Sequence, residues 1–492
     1  MSAVDFWLGR HREIAAGLAG AKLPWLARVR DEAIGRFADE GWPTTRRENW
    51  RHTSLAFMEQ QALSVRETVQ PERILAALRA RFDAATQTSA HLASATSGGS
   101  REPTETGTES RRSGGSREPQ PSLLTDAPAS PRPATQQTAS AGHWLVFVDG
   151  HFAPALSAIG GLPGGAQIGS LADALKQTPE AVEAAFGDAN DGEPPEALNA
   201  AFATDGAWIR LSRGVAVEQP IHLVFVGAAA TDRHLRNLIV AEAGAQATIV
   251  EHYPASAAGT TLTTAATRIL AAQDSHIVHL KLQEEAPEAI HLATIDAVQA
   301  RGAVFASHSL SFGARLARND IRTRLDGEGA EALLNGLYHA DGRRHVDHHT
   351  RIDHAAPQGT SREFYRGLLD GSARGVFTGR ILVAQDAQRT DAMQRCDNLL
   401  LSRLAEADAR PELEIYADDV KCAHGATVGQ IDDDALFYLR SRGLDATHAR
   451  QVLTYAFAAE VLDRIAHAPL RALGRAALLE RLPAEARLEE LS

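Results

Sequence analysis

The chain has 492 residues, with 50 lysines and arginines against 62 aspartates and glutamates, for a net charge of -12. That surplus of carboxylates argues against a surface built to neutralise nucleic-acid phosphates. The length allows two to four structural units, with a core large enough to need neither disulfides nor a structural metal. Its two cysteines, Cys396 and Cys422, cannot make a disulfide framework and fit a reducing cytosol. They also fall short of the four thiolates that usually hold an iron–sulfur cluster. No apolar run approaches the ~20 residues that cross a bilayer. Arg10, His11, Arg12 and Glu13 interrupt any signal-peptide core. A soluble, cytoplasmic protein is expected.

Residues 1–86 read as a helical region. Val4, Trp7, Leu8, Ile14 and Leu18 have helical spacing, Pro24 opens a second segment, and Pro71 starts a third through Phe82. Residues 87–141 are rich in Ser, Thr, Gly, Pro and Ala, and the heptad beginning at Ser97 recurs at 113–119. Too few large apolar groups are present to offset ordering entropy, so a disordered linker is expected there.

From 142 to 430 the texture is β. His143–Gly150, Ile221–Val226, Val278–Gln283 and Val304–Phe312 alternate or run apolar over strand lengths. Gly-Ala pairs at 244–245, 302–303, 329–330 and 425–426 suggest small-residue corners between stacked strands, and a parallel β-helix fits them better than a sandwich. Residues 431–492 return to helical spacing. Asp432-Asp433-Asp434 favours a helix start and Gly443 a stop. Ala449, Val452, Leu453, Ala456, Phe457, Val461 and Ile465 make a broad apolar stripe that packs within the chain or offers a docking surface.

Motifs for phosphate cradles, zinc proteases and nucleophile elbows are absent. The densest histidine stretch is His339–His354. In a strand, His345, Asp347, His349 and Asp353 share one face and could bind a divalent metal. The alternative is a ladder of His–Asp hydrogen bonds along a sheet, which needs no open coordination position.

The segment Asp418–Thr427 is the most specific. Extended, it places Asp418, Val420, Cys422 and His424 on one face, so that a thiol and an imidazole could converge on one soft metal ion. A small buried cysteine beside a turn histidine is the competing reading.

Arg389–Gln394, Asp397–Ser402, Pro411–Ile415, Asp418–Gly429 and Leu436–Gly443 together resemble the SufB/SufD family of the SUF iron–sulfur cluster assembly system, with Cys422-Ala423-His424-Gly425-Ala426-Thr427 in the SufD form. The resemblance is close from about residue 335 to 466, with a weaker match at Glu48–Arg51. Cys396 departs from it in a SufB-like direction. What it implies is a right-handed parallel β-helix core flanked by N- and C-terminal helical regions, and a non-catalytic scaffold role. It further implies pairing with SufB through the β-helix and binding of the SufC ATPase through the C-terminal helices. Cys422 and His424 are then the expected metal- and cofactor-binding residues. They would share a transient iron or cluster with SufB, with none held stably by this chain alone. A homodimer of the isolated chain is left open. Two other readings stand beside this one. One is a β-helix carbohydrate-active enzyme, disfavoured by aromatics at only 5%. The other is a mononuclear metal enzyme using the His345–His354 region.

Overall fold

The computed structural model describes residues 3–97, 142–187 and 192–482. It begins with α1 (Ala3–Ile14), α2 (Pro24–Glu40) and α3 (Pro71–Ser97). Pro24 and Pro71 stand at helix starts, where the missing N–H costs no hydrogen bond. Helix α3 continues to Ser97, past the boundary expected at 86. The remainder of the expected linker, 98–141, lies outside the described residues.

β1 (His143–Val148), β2 (His151–Phe152) and β3 (Ala166–Ser170) come next, followed by α4 (Leu171–Gln177), α5 (Pro179–Phe186) and α6 (Pro194–Phe202). These three short helices interrupt a region read as β throughout. Prolines at the starts of α5 and α6 and alanines within them carry the signal, which strand-rich flanks obscure.

The regular part follows as β4 (Ala207–Leu211), β5 (Ile221–Val226), β6 (Asp232–Ala241), β7 (Gln246–Tyr253), β8 (Leu262–Ala271), β9 (His276–Gln283), β10 (Ile290–Gln299) and β11 (Val304–Ser311). It continues as β12 (Leu316–Leu325), β13 (Glu331–Ala340), β14 (His345–His354), β15 (Thr360–Leu369), β16 (Arg374–Val383), β17 (Asp391–Leu400), β18 (Glu406–Ile415) and β19 (Lys421–Gln430). Consecutive strands alternate between two sheets, one ending in β15, β17 and β19 and the other in β14, β16 and β18. Apart from the antiparallel pairs β1–β2 and β3–β4, neighbours within each sheet pair in parallel; β12 lies residue for residue on β14. The core is a parallel β-solenoid of about eight turns.

One corner of the coil needs a left-handed backbone. Positive φ recurs at Gly214, Gly244, Asp274, Gly302, Gly329, Gln358 and Arg389, a spacing of 27 to 31 residues. Only some of these positions are glycine, which hides the period from a search for Gly-Ala pairs. Gly425-Ala426, read as a corner, lies instead in the middle of β19.

Inward-facing Ile, Leu, Phe and Ala fill much of the solenoid and form its main core. Outside, α3 and the C-terminal helices α8 (Ala446–Leu462) and α9 (Ala468–Leu479) lie on the sheet of β1 and β5, while α7 (Asp433–Ser441) packs mainly on α8 and buries no residue. The other sheet is covered by α1, α2, α6 and the segment 42–63. That segment runs lengthwise. Trp50 Nε1 donates to Glu193 at 2.9 Å and its ring lies 3.7 Å from the Arg318 guanidinium. Further along, Thr53 meets β14, His52 lies 3.4 Å from Asp408 and Glu48 pairs with Arg410.

Candidate functional site at the open end of the solenoid

Strands β18 and β19 are the last of their sheets, so each leaves one edge without a strand partner. Parallel pairing with β17 sets Cys422 beside Ala392, His424 beside Gln394 and Ala426 beside Cys396. Because those β17 residues face the solenoid axis, Cys422 and His424 do too, while Lys421 and Ala423 face outward. The alternation expected from sequence holds from Lys421 onward. It does not extend to Asp418 and Asp419, which form the preceding bend. There the Asp419 carbonyl accepts from Arg389 N–H at 2.6 Å, and its own N–H donates to Gln388 Oε1 at 2.9 Å.

Cys422 is half-buried and packs with Val420 against the apolar interior. Burial pushes its thiol up from the ordinary range, partly opposed by a backbone hydrogen bond from Ala392. His424 is exposed at the mouth. Among the described residues, no group of three or more His, Cys, Asp or Glu is arranged to hold a metal ion. The pair therefore offers a soft and a borderline donor in an incomplete set.

Cys396 is a fully buried inward residue in the middle of β17. Asn398 Nδ2 donates to its sulfur at 3.5 Å, and burial pushes the thiol far up. One strand pair deeper in His424's row, Glu363 is buried beside Gln394, whose Nε2 donates to it at 2.6 Å. Burial pushes this carboxyl up to about 7, against hydrogen bonds from Thr350 and Gln394. No sequence motif marks that acid.

The His345–His354 region forms β14, and the metal-enzyme reading of it is not supported. His345, Asp347 and His349 share the outer face as expected, but that face is covered. Asp347 takes Arg318 at 2.7 Å and the Thr53 hydroxyl, while His345 Nε2 lies 2.8 Å from the same hydroxyl. His349 Nε2 stands 3.3 Å from Asp347. Burial would raise the Asp347 carboxyl, yet Arg318, with His349 and His345, holds it at about 2. These side chains join the N-terminal segment to the solenoid.

The C-terminal helices start where their caps predict. Asp432 accepts from the amides of Asp434 and Ala435, and Asp445 from those of Thr447 and His448. The apolar stripe of α8 is spent within the chain: Ala449, Val461 and Ile465 are buried, and Phe457 is half-buried under the Arg366 guanidinium at 4.4 Å. What stays open is α7, with Phe437 72% and Tyr438 55% exposed; Val428 of β19 is likewise 50% exposed.

Comparison with known proteins gives the same placement. Residues 225–457 match the family model described as the SufBD core domain of SUF system FeS cluster assembly, and residues 140–223 match the SufBD protein N-terminal region. The iron–sulfur cluster assembly protein SufD of Escherichia coli K12 is 36% identical over 348 residues, covering 70% of this chain and 80% of that one. An iron–sulfur cluster assembly SufBD family protein of Synechocystis is 33% identical over 66% of this chain and 75% of its own. A chloroplastic protein of Arabidopsis thaliana, ABCI7, is 26% identical over 66% and 71%. With its solenoid, its terminal thiol–imidazole pair and these matches, the chain is a SufD-like member of the SufBD family of the SUF iron–sulfur cluster assembly system.

Proposed function

We propose that this chain is a non-catalytic scaffold subunit that pairs with SufB through the open end of its solenoid and helps hold iron or a nascent cluster there. The observation that carries the reading is the inward, solvent-reached placement of Cys422 and His424 on the terminal strand. Two donors leave coordination incomplete, and an end-to-end partner is positioned to supply the rest. The iron or cluster is cargo, passed between subunits. In the same reading SufC docks on the C-terminal helical domain, and the exposed α7 face with Phe437 and Tyr438 is its contact rather than the stripe of α8. The double variant Cys422→Ala/His424→Ala tests the site. Reconstituted with SufB and SufC, it should assemble at least about tenfold less cluster, while the Tm of the isolated chain stays within about 2 °C of the unaltered protein. Full assembly by that variant would reduce the motif to packing and leave a purely architectural role.

A further inference from the structure

The inward rows that end on β19 are not backed alike. Going deeper into the coil, Cys422 is followed by Ala392 and Ser361, and Ala426 by Cys396 and Tyr365. His424 is followed by Gln394 and then Glu363, after which its row turns apolar at Leu334. An amide and an acid thus stand directly behind the histidine and in neither flanking row. Both are buried, and among the described residues no cation pairs with the acid. A pair kept only for packing would be served as well by apolar side chains of the same volume.

The acid decides which way round the amide sits. Gln394 Nε2 donates to Glu363 Oε2 at 2.6 Å, and the reverse orientation would set two oxygens against each other. Gly379 of the opposite sheet makes the room, since a side chain there would collide with Nε2. With its amino arm committed, the planar amide has its carbonyl arm fixed too. That oxygen, Gln394 Oε1, is buried and has no hydrogen-bond partner among the described residues. Buried acceptors are seldom left in that state without a reason. The next side chain in the row, about 4.8 Å on by strand spacing, is the exposed His424.

We propose that Gln394 and Glu363 are positioning residues for His424. When the histidine turns in over the mouth to take its cargo, Gln394 Oε1 accepts one ring N–H, and Glu363 keeps the amide the right way round. One imidazole nitrogen is thereby held protonated and the other is presented bare, the form in which it binds a metal ion. Cys422, with Ala392 behind it, has no such side-chain support. This rests on Cys422 and His424 being the donors, as proposed above.

The test uses the full chain reconstituted with SufB and SufC and supplied with sulfide and increasing iron(II). Gln394→Met, close in volume but without an acceptor, should raise the iron(II) needed for half-maximal cluster assembly by about tenfold. The exchanged pair Glu363→Gln/Gln394→Glu keeps the contact with its roles reversed and still turns an oxygen to His424. It should return to within about threefold of the unaltered chain. A pair that only packed would behave the other way, tolerating methionine and suffering from the displaced acid. In a His424→Ala chain, Gln394→Met should cost no further part of the residual assembly, because nothing is left for it to position. Unchanged iron dependence in Gln394→Met, no recovery in the exchanged pair, or a further loss in the His424→Ala chain would overturn the relay and leave the donor pair standing. Full assembly by His424→Ala alone would overturn that histidine as a donor, and the relay with it.

Discussion

Arg318 is the side chain on which most depends. It is 1% exposed, stacked on Trp50 and paired with Asp347 and Asp320. Removing one member of a buried pair strands the other, so Asp347→Ala should lower unfolding free energy by about 3 kcal/mol, read from the denaturant midpoint. Glu363 behaves in the opposite sense to an ion-paired acid. Its carboxyl is raised to about 7 in the folded chain, above the ordinary 4.5. Its contribution is therefore fully present below about pH 4.5 and is lost as pH rises through about 7. Glu363→Gln should accordingly gain on the order of 2 kcal/mol relative to the unaltered chain between pH 5 and pH 8, measured as the difference in midpoints. That Cys422 and His424 share a face was legible in sequence because strand alternation is strict; that the face is the inner one came only from the pairing with β17. The commitments of Asp347 and Glu363 were not, because their partners Arg318, Thr53 and Gln394 lie 29, 294 and 31 residues away.

Among the elements, α7 and α8 divide labour in a way that apolar content alone does not reveal. Their sequences both carry large apolar residues, yet α8 lies against β13 and β15 while α7 touches mainly α8. Phe457→Asp places a carboxylate beneath Arg366 and beside Phe364, and should cost about 3 kcal/mol through lost packing. Phe437→Asp should change stability by less than about 0.5 kcal/mol and weaken SufC binding, which titration calorimetry would separate cleanly. The solenoid itself was visible as short alternating strands and small-residue corners. Its repeat was obscured because Asp274, Gln358 and Arg389 occupy the left-handed corner that glycine fills elsewhere.

At the scale of the whole molecule, a solenoid contacts only its sequence neighbours turn by turn, and such arrays can unfold piecemeal. Here both termini counter that. The N-terminal segment spans from the backbone beside Ala258 to Arg410, and α3 meets α9 through Arg81, which pairs with both Glu284 and Glu480. The intact chain should melt in a single transition. Trp50→Ala, which costs about 3–5 kcal/mol at the centre of the strap, should split off an earlier one in calorimetry. The same strap acts as a ruler. Trp50 meets β12, Thr53 meets β14, and His52 and Glu48 both meet β18, so adding or deleting one complete coil between these strands would put the later marks out of phase. Length change by whole repeats, the easiest evolutionary step for most repeat arrays, is opposed here within the span that the strap covers. Diversification has to proceed through what is laid on the coils rather than through how many there are.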